Sequence, residues 1–129
     1  MMVWYDIIFR LVIAIIVGAC IGMERQWRHR MAGLRTNALV SLGACIFVLL
    51  SVMLDHDASP SRIAAQVVSG ISFLGGGVII RDGFSIRGLN TAATLWCAAA
   101  VGTLTGAGFL VAAILGAAGV LLANILLRP

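Results

Sequence analysis

Charge is scarce in this chain of 129 residues: only 11% of the residues are charged, and lysine is absent altogether. Hydrophobic residues make up 61% of the sequence, which is more apolar surface than a small water-soluble core can use. The composition therefore places the chain among membrane proteins. We expect no nucleic acid partner, because a positive cytoplasmic rim, common in membrane proteins, accounts for the net charge of +4.

Reactive motifs are also missing. The three cysteines, Cys20, Cys45 and Cys97, lie in apolar runs without CxxC spacing, which disfavours a disulfide framework and a zinc site. The sequence has no HExxH motif, no P-loop and no paired carboxylates inside an apolar run. Its acidic residues lie at the predicted membrane edges, where they offer a poor path for Mg²⁺. We predict a protein that is not an enzyme and has no cofactor and no metal site.

Five apolar segments follow one another along the chain, and each can cross a hydrocarbon layer of about 30 Å as a helix. The stretch MMVWYD lacks the basic region of a signal peptide, so we expect the first segment to be a retained helix. The fourth segment is the shortest. The predicted spans cover residues 7–23, 37–54, 63–80, 91–105 and 109–127.

Arginine placement predicts the orientation of these spans, because short loops rich in arginine stay on the cytoplasmic side. Every arginine except Arg10 and Arg62 falls at one end of the predicted bundle, whereas the other end receives MMVWYD and DHDASPSR. We therefore predict an all-α, polytopic membrane helix bundle with its N-terminus outside and its C-terminus inside. Residues 1–129 form one transmembrane domain in this interpretation.

Small residues recur at helical spacing in several predicted spans and allow helix backbones to approach closely. They favour a tight bundle or a homodimer seam, with a ligand channel as the alternative. In FLGGGVI, three adjacent glycines weaken a helix, which predicts a kink or a close helix contact. The candidate packing positions are Gly18, Gly22, Gly76 and Gly116.

The second and fourth spans begin with similar strings, GLRTNA and GLNTAA. The similarity fits either two repeated hairpins or the general preference for Thr and Asn at helix starts. Asn90 or Thr91 would cap the fourth helix with a side-chain oxygen. Thr94 lies one turn deeper, so it either bonds its own helix or extends a polar recognition surface.

Arg10 lies near the outer end of the first span, where a charge without a partner is costly. Asp6, Asp55 or Asp57 could pair with it, or its side chain could reach the outer headgroups. Gln66 is a candidate for the same polar layer. The DHD string that contains two of these acids is expected to be a solvated loop rather than a metal or pH-sensing site.

Glu24 lies at the inner end of the first span among several arginines, Arg25, Arg28 and Arg35. This arrangement predicts a cytoplasmic salt-bridge network. Exposed ion pairs of this kind contribute less than about 1 kcal/mol each to the free energy of unfolding. The network would therefore position the loop against the helix ends rather than stabilise the fold.

Three strings of the sequence resemble the membrane domain of the MgtC/SapB family: GACIGMERQWRHRMAGLRTNALVSLGA, RIAAQVVSGISFLGGGVIIRDGFSIRGLNTAATLW and AAVGTLTGAG. They stand in the family's order and cover nearly the whole chain. The resemblance implies a multi-pass protein of the bacterial inner membrane, linked to growth in low magnesium and survival inside phagocytes. It implies inhibition of the F-type ATP synthase instead of magnesium transport. Many family members continue into a soluble domain, whereas this sequence ends at Pro129.

The resemblance also implies a set of functional polar positions, with Asn90 as the first choice. The main hypothesis is a non-enzymatic regulator whose partners are the lipid bilayer, membrane subunits of the ATP synthase and a second copy of the chain. The alternatives are a transporter or channel for Mg²⁺ or another small ion, with a path between the two hairpins, and a structural scaffold. The proposed path would be lined by Arg10, Gln66 and Asn90. The family's polar positions fall on Arg10, Glu24, Arg25, Gly33, Arg35, Thr36, Asn37, Gln66, Arg81, Asp82, Asn90 and Thr91.

Overall fold

The computed structural model of the chain describes residues 3–54, 61–83 and 85–127. These residues form five helices and one short β-hairpin. In chain order they are α1 (Trp4–Trp27), α2 (Leu34–Met53), α3 (Arg62–Val78), β1 (Ile80–Asp82), β2 (Ser85–Arg87), α4 (Leu89–Ala107) and α5 (Leu110–Leu126). Each predicted span coincides with one helix, because a long uninterrupted apolar run can satisfy its backbone internally only as a helix.

Two of the helices, α1 and α2, are long and apolar enough to cross a membrane by length and composition alone. The apolar helices α3 and α5 are shorter, with 17 residues each. The described part of the chain is thus a helical bundle with strongly apolar elements.

Helix α4 lies at the centre of the bundle and contacts each of the other four helices. Its central position explains why it can carry buried hydroxyl groups, at Thr91, Thr94 and Thr105, without exposing them to an apolar surrounding. Val101 and Ala98 pack toward α1 and α5, and Leu95 and Ala99 pack toward α2 and α3. The apolar core of the described residues includes three clusters: Val17, Ile21, Ala98, Val101 and Ala117; Ala44, Ile71, Leu95 and Ala99; and Ala14, Cys45 and Leu49.

Helices α1, α2 and α4 meet at very short distances around Ser41. Gly102 of α4 lies against the main chain of Ser41, where any added Cβ would overlap it. A Cβ at Gly18 of α1 would be 2.7 Å from the Ser41 Cβ. The Ser41 hydroxyl donates to the carbonyl oxygen of Ala14 at 2.7 Å and so satisfies a buried polar group at the contact.

The fourth helix does not begin as the sequence analysis expected. Its N-cap is Gly88 at φ +91°, so Asn90 and Thr91 already lie inside the helix and neither caps it. A Cβ at residue 88 would overlap the carbonyl group of Val78, which explains the glycine. Helix α2 likewise begins after a glycine, Gly33. The two similar strings therefore occupy the same position relative to their helix starts.

The connection between α3 and α4 is an antiparallel hairpin, although the predicted third span extended to residue 80. Helix α3 ends at Val78, and Ile80 pairs with Arg87 at the open end of the hairpin. Gly83, at φ +63°, is the first residue after the paired Asp82, a position where a positive φ favours glycine. The hairpin carries Arg81 and Asp82 on β1, opposite Ile86 and Ser85.

Candidate functional site

Four buried polar residues gather where α1 ends and where α2 and α4 begin: Glu24, Arg25, Asn37 and Thr91, here called the polar cluster. Arg25 is only 4% exposed and Asn37 is fully buried. Buried polar groups at a meeting point of three helices are rare, because each loses its water on burial and needs a partner of good geometry.

Arg25 links α1 to α4. Its Nη2 atom donates to the hydroxyl oxygen of Thr91 and to the carbonyl oxygen of Met31, the latter at 3.3 Å. The carboxylate of Glu24 is engaged elsewhere: its Oε2 atom lies 3.0 Å from Nε of Arg28. The hydrogen bonds of the buried Arg25 therefore go to neutral oxygen acceptors, which makes these contacts directional.

The predicted salt-bridge network around Glu24 is wrong in its extent. Within the described residues it consists of the single Glu24–Arg28 pair, and Arg35 is exposed in the first turn of α2. The arginines do not converge on one carboxylate because Arg25 points into the bundle, toward Thr91 of α4.

The loop between α1 and α2 is shaped by side chains that bind its backbone. Asn37 donates through Nδ2 to the carbonyl oxygens of Ala32, at 2.6 Å, and Gly33, at 3.0 Å. Gln26 accepts through Oε1 from the backbone N–H of Leu34 at 3.1 Å. Together with the Arg25 contact, these bonds hold the loop against the helix ends.

Three atoms of the polar cluster keep unfilled hydrogen-bonding capacity. Glu24 Oε1, Arg25 Nε and Asn37 Oδ1 are buried and have no partner within the part of the chain that the structure describes. Unsatisfied buried groups cost about 1–3 kcal/mol each, and native proteins concentrate such exceptions at sites that serve a purpose other than stability. The polar cluster is therefore the strongest candidate site in the bundle.

Asn90 and Thr94 differ from Thr91 in their surroundings. The side chain of Asn90 is exposed, and its backbone carbonyl accepts from the Thr94 hydroxyl at 2.9 Å. Thr94 thus bonds its own helix, which was one of the two alternatives at this position. Its oxygen also accepts from Nδ2 of Asn124 on α5 at 3.2 Å. Asn124 was not among the predicted site residues, because its only signal in the sequence is a lone amide within the last apolar run.

Arg10 lies at the opposite end of α4. Its Nη1 atom donates to the carbonyl oxygen of Gly106 at 2.8 Å, so it closes the C-terminal end of that helix. The acceptor is a backbone carbonyl instead of the expected carboxylate of Asp6, which is exposed. Asp55 and Asp57, the other expected partners, lie outside the described residues.

The remaining candidate residues are spread over the bundle. Gln66 lines an apolar groove of about 500 Å³ between α2 and α3, so it meets neither Arg10 at one end of α4 nor Asn90 at the other. Thr36 is exposed beside Arg35. A Cβ at Gly22 would overlap Gly33 and Leu34 of α2, and one at Gly116 would contact Val101. Gly76 faces open space, and its neighbour Gly75 lies against Ala92.

No group of three or more His, Cys, Asp or Glu side chains that could hold a metal ion occurs among the described residues. What the site offers chemically is a rigid buried arginine contact beside one exposed amide. An amide both donates and accepts hydrogen bonds, so Asn90 can recognise a polar group on another surface.

Comparison with known proteins agrees with the resemblance. The family model described as the MgtC family matches residues 11–129. The chain is 59% identical to an uncharacterized protein of Synechocystis sp. over 128 residues, which is 99% of this chain and 55% of that protein. It is 58% identical to Protein MgtC of Salmonella typhimurium over 127 residues, 98% of this chain and 54% of that protein.

Protein MgtC of Brucella abortus is 57% identical over 116 residues, 90% of this chain and 49% of that protein. The chain thus spans about half the length of the curated relatives it matches. No solved structure matches it. Because the family model and relatives of this similarity cover nearly all of its residues, the chain belongs to the MgtC family.

Proposed function

We propose that this protein is a regulator of the bacterial inner membrane that inhibits the F-type ATP synthase, without catalysing a reaction itself. In this proposal it serves adaptation to low magnesium and survival inside phagocytes. Membership of the MgtC family supports the proposal, and the single structural observation that carries it is the exposed amide of Asn90 beside the buried Arg25–Thr91 contact.

The proposed location is supported by the surface of the bundle, which is apolar on every helix. Large hydrophobic side chains are exposed throughout, among them Phe9, Phe47, Phe73, Trp96 and Leu115. Water-soluble proteins rarely expose contiguous apolar patches of this kind. Five spans fit such a surface, since helices of 17 residues extend about 26 Å and bilayers adapt to small mismatches. Arginine placement then supports an outer N-terminus and an inner C-terminus.

The proposed working surface is the first turn of α4. Thr91 is held inside by Arg25, which fixes the rotation of this turn so that Asn90 points outward. An amide at the edge of a membrane helix can hydrogen-bond a polar group of a neighbouring helix, which is a known means of helix association in lipid. The proposed partner helices belong to membrane subunits of the ATP synthase.

A second copy of the chain is a further proposed partner. Helix α3 exposes a stripe of small residues, Ala65, Ser69, Ser72 and Gly76, and a Cβ at Gly76 would meet no other described residue within 4 Å. Small-residue stripes permit close helix packing in membranes. A homodimer through α3 is consistent with this free face.

The proposal is tested by ATP-driven proton pumping in inverted bacterial membrane vesicles. Four preparations are compared: vesicles with the wild-type protein, with Asn90→Ala, with Ser85→Ala, and without the protein, with the protein variants at matched abundance. Ser85→Ala is the control, because this serine is also exposed but lies on β2, outside the proposed contact surfaces. We expect the wild type and Ser85→Ala to slow pumping and Asn90→Ala to lose most of this effect. Equal pumping in all four preparations would reject direct inhibition.

The transporter hypothesis makes a different prediction for purified protein in liposomes. Flux of Mg²⁺, phosphate or protons that depends on Arg10 or Asn90, without any ATP synthase, would favour it. The separation of Arg10, Gln66 and Asn90 in the bundle does not provide the common path that this hypothesis requires. The regulator is therefore the function that the geometry supports better.

A further inference from the structure

A second surface feature lies between the ends of α1 and α5 and plays no part in the proposed function. It is a groove of about 600 Å³, here called the α1–α5 groove. Its walls are apolar and consist of Cys20 and Met23 from α1 and Leu121 and Ile125 from α5. A dry wall of this kind does not hold ordered water, which needs several polar partners per molecule.

One end of the groove carries charge. Arg28 lines the groove and is held by Glu24, whose Oε2 atom lies 3.0 Å from the Arg28 Nε atom. The ion pair uses only one edge of the guanidinium group. The closest contact of the pair is made by Nε, and the side chain is 22% exposed, so the two terminal nitrogens can donate to an acceptor outside the pair. Arg28 is thus oriented by Glu24 and keeps donors for a further acceptor.

The local charge favours an anion at this end. Glu24 is the one acid in the groove, and its second oxygen, Oε1, is buried away from any ligand. Arg25 lies next to Glu24 in the chain, and the exposed Arg30 follows two residues after Arg28. Within the lining of the groove, Glu24 and Arg28 form a neutral pair, and the additional positive charge of this segment comes from Arg25 and Arg30.

Trp27 marks the level of this end within a membrane. Its side chain lines the groove and is 83% exposed. Exposed tryptophan side chains of membrane helices concentrate at the headgroup layer, where arginine heads also reach water. The charged end of the groove would thus lie among headgroups, and its apolar walls would extend into the acyl-chain region.

We propose that the α1–α5 groove binds one anionic phospholipid, with its phosphate on Arg28 and an acyl chain against Cys20, Met23, Leu121 and Ile125. Basic pockets between membrane helices bind anionic headgroups in this manner. The apolar walls favour a lipid over a free phosphate ion, because an ion alone would leave the rest of the groove empty. The proposal does not depend on any action on the ATP synthase.

Trp27 allows a direct test by fluorescence. Trp4→Phe and Trp96→Phe leave Trp27 as the only tryptophan, and the full chain is placed in phosphatidylcholine vesicles with a minor share of brominated lipid, which quenches nearby tryptophan. We expect brominated phosphatidylglycerol to bind near Trp27 about fivefold better than brominated phosphatidylcholine, as expected for one arginine near a membrane surface.

Two variants of the groove and one control variant assign the preference to the groove. Arg28→Gln should remove it, whereas Arg87→Gln, which changes an exposed arginine of β2, should retain it. Leu121→Phe narrows the groove from the other helix with Arg28 intact, and should weaken quenching by phosphatidylglycerol. An unchanged Trp27 emission spectrum in unbrominated lipid verifies that each variant is folded around this residue.

Three outcomes would overturn the proposal. Equal quenching by the two lipids would show that the groove has no preference for an anionic headgroup. Equal losses in Arg28→Gln and Arg87→Gln would assign the preference to general surface charge. Removal of the preference by millimolar glycerol phosphate would identify a site for a free phosphate ester instead of a lipid.

Discussion

Two arginines of α1, Arg25 and Arg10, hold the two ends of α4 in different ways. Arg25 is buried and binds a side chain, the Thr91 hydroxyl, at the start of α4. Arg10 is half-buried and binds a backbone carbonyl, that of Gly106, at the end of α4. A carbonyl is available at the end of any helix, whereas a hydroxyl at residue 91 depends on the sequence. The start of α4 is therefore the more specific of the two contacts.

The two contacts fit a single alignment of α1 against α4. The same number of residues separates Arg10 from Arg25 as separates Thr91 from Gly106, and the first arginine contacts the later residue of α4. This is the pattern of two antiparallel helices in which both contacts form at once. A shift of α4 by one turn, about 5.4 Å, would break both.

The largest loss of stability is expected from removal of the Thr91 hydroxyl, the buried acceptor of the Arg25 hydrogen bond. Thr91→Val keeps the shape of the side chain but leaves the Arg25 guanidinium without its hydroxyl partner, which should cost about 2–3 kcal/mol of unfolding free energy. Thr91→Ser keeps the hydroxyl and should cost less than about 1 kcal/mol. Unfolding in mixed micelles with increasing denaturing detergent measures both. Equal losses in the two variants would mean that the hydroxyl contributes nothing.

Loss of the contact between Arg10 and Gly106 should lower the unfolding free energy by a smaller amount. Arg10→Met removes the donor to Gly106, and a cost of about 1 kcal/mol is expected because this hydrogen bond is only partly buried. Asp6→Asn is the control and should change stability by less than about 0.5 kcal/mol, since Asp6 is exposed and Arg10 binds α4. If Asp6→Asn destabilises as much as Arg10→Met, the carboxylate is the true partner of Arg10.

A neutral hydrogen bond links α4 to α5 near the start of α4, at the same end of that helix as the Arg25 contact. Asn124→Ala removes the donor to Thr94, whose own bond to the Asn90 carbonyl remains. We expect a loss of about 0.5–1 kcal/mol, as for a typical neutral bond, in the same detergent titration. A loss as large as that of Thr91→Val would make Asn124 part of the buried site.

The smallest effect on stability is expected for Asn90→Ala. Its side chain is exposed, so the unfolding free energy should change by no more than about 0.5 kcal/mol. The comparison with Thr91→Val then separates two neighbouring residues of one turn: one supports the fold, and the other serves the proposed partner. A loss comparable to that of Thr91→Val would show that Asn90 stabilises the bundle and would weaken its assignment to a partner surface.

The helices could be predicted because their main cause is local. An apolar run of sufficient length must be helical in lipid, and the five predicted runs agree with the five helices to within a few residues. The ends of the helices were predicted less accurately. Gly88, for example, could be identified as the N-cap of α4 only from its close approach to Val78. The hairpin between α3 and α4 had a signal in the sequence, a glycine at residue 83 between two short segments, but the prediction followed the apolar runs alone.

The partners of the polar residues could not be predicted in the same way. The sequence placed Arg25 beside Glu24, which suggested a local ion pair, but its partner Thr91 is 66 residues away. Arg10 had an acid one turn earlier, yet it binds a carbonyl of α4. In both cases the nearest opposite charge in the sequence was a poor guide, because arginine side chains are long enough to reach another helix.

The sequence by itself determined the membrane class, the number of helices, the uneven distribution of arginine and the family, because these follow from composition, run length and motif strings. Only the tertiary structure decided that Thr91 faces inward and Asn90 outward, and that Arg25 and Arg10 hold opposite ends of α4. The physical reason is that the rotation of a helix about its axis is set by close packing against its neighbours. Here that packing comes from glycines such as Gly18 and Gly102 meeting Ser41 across three helices.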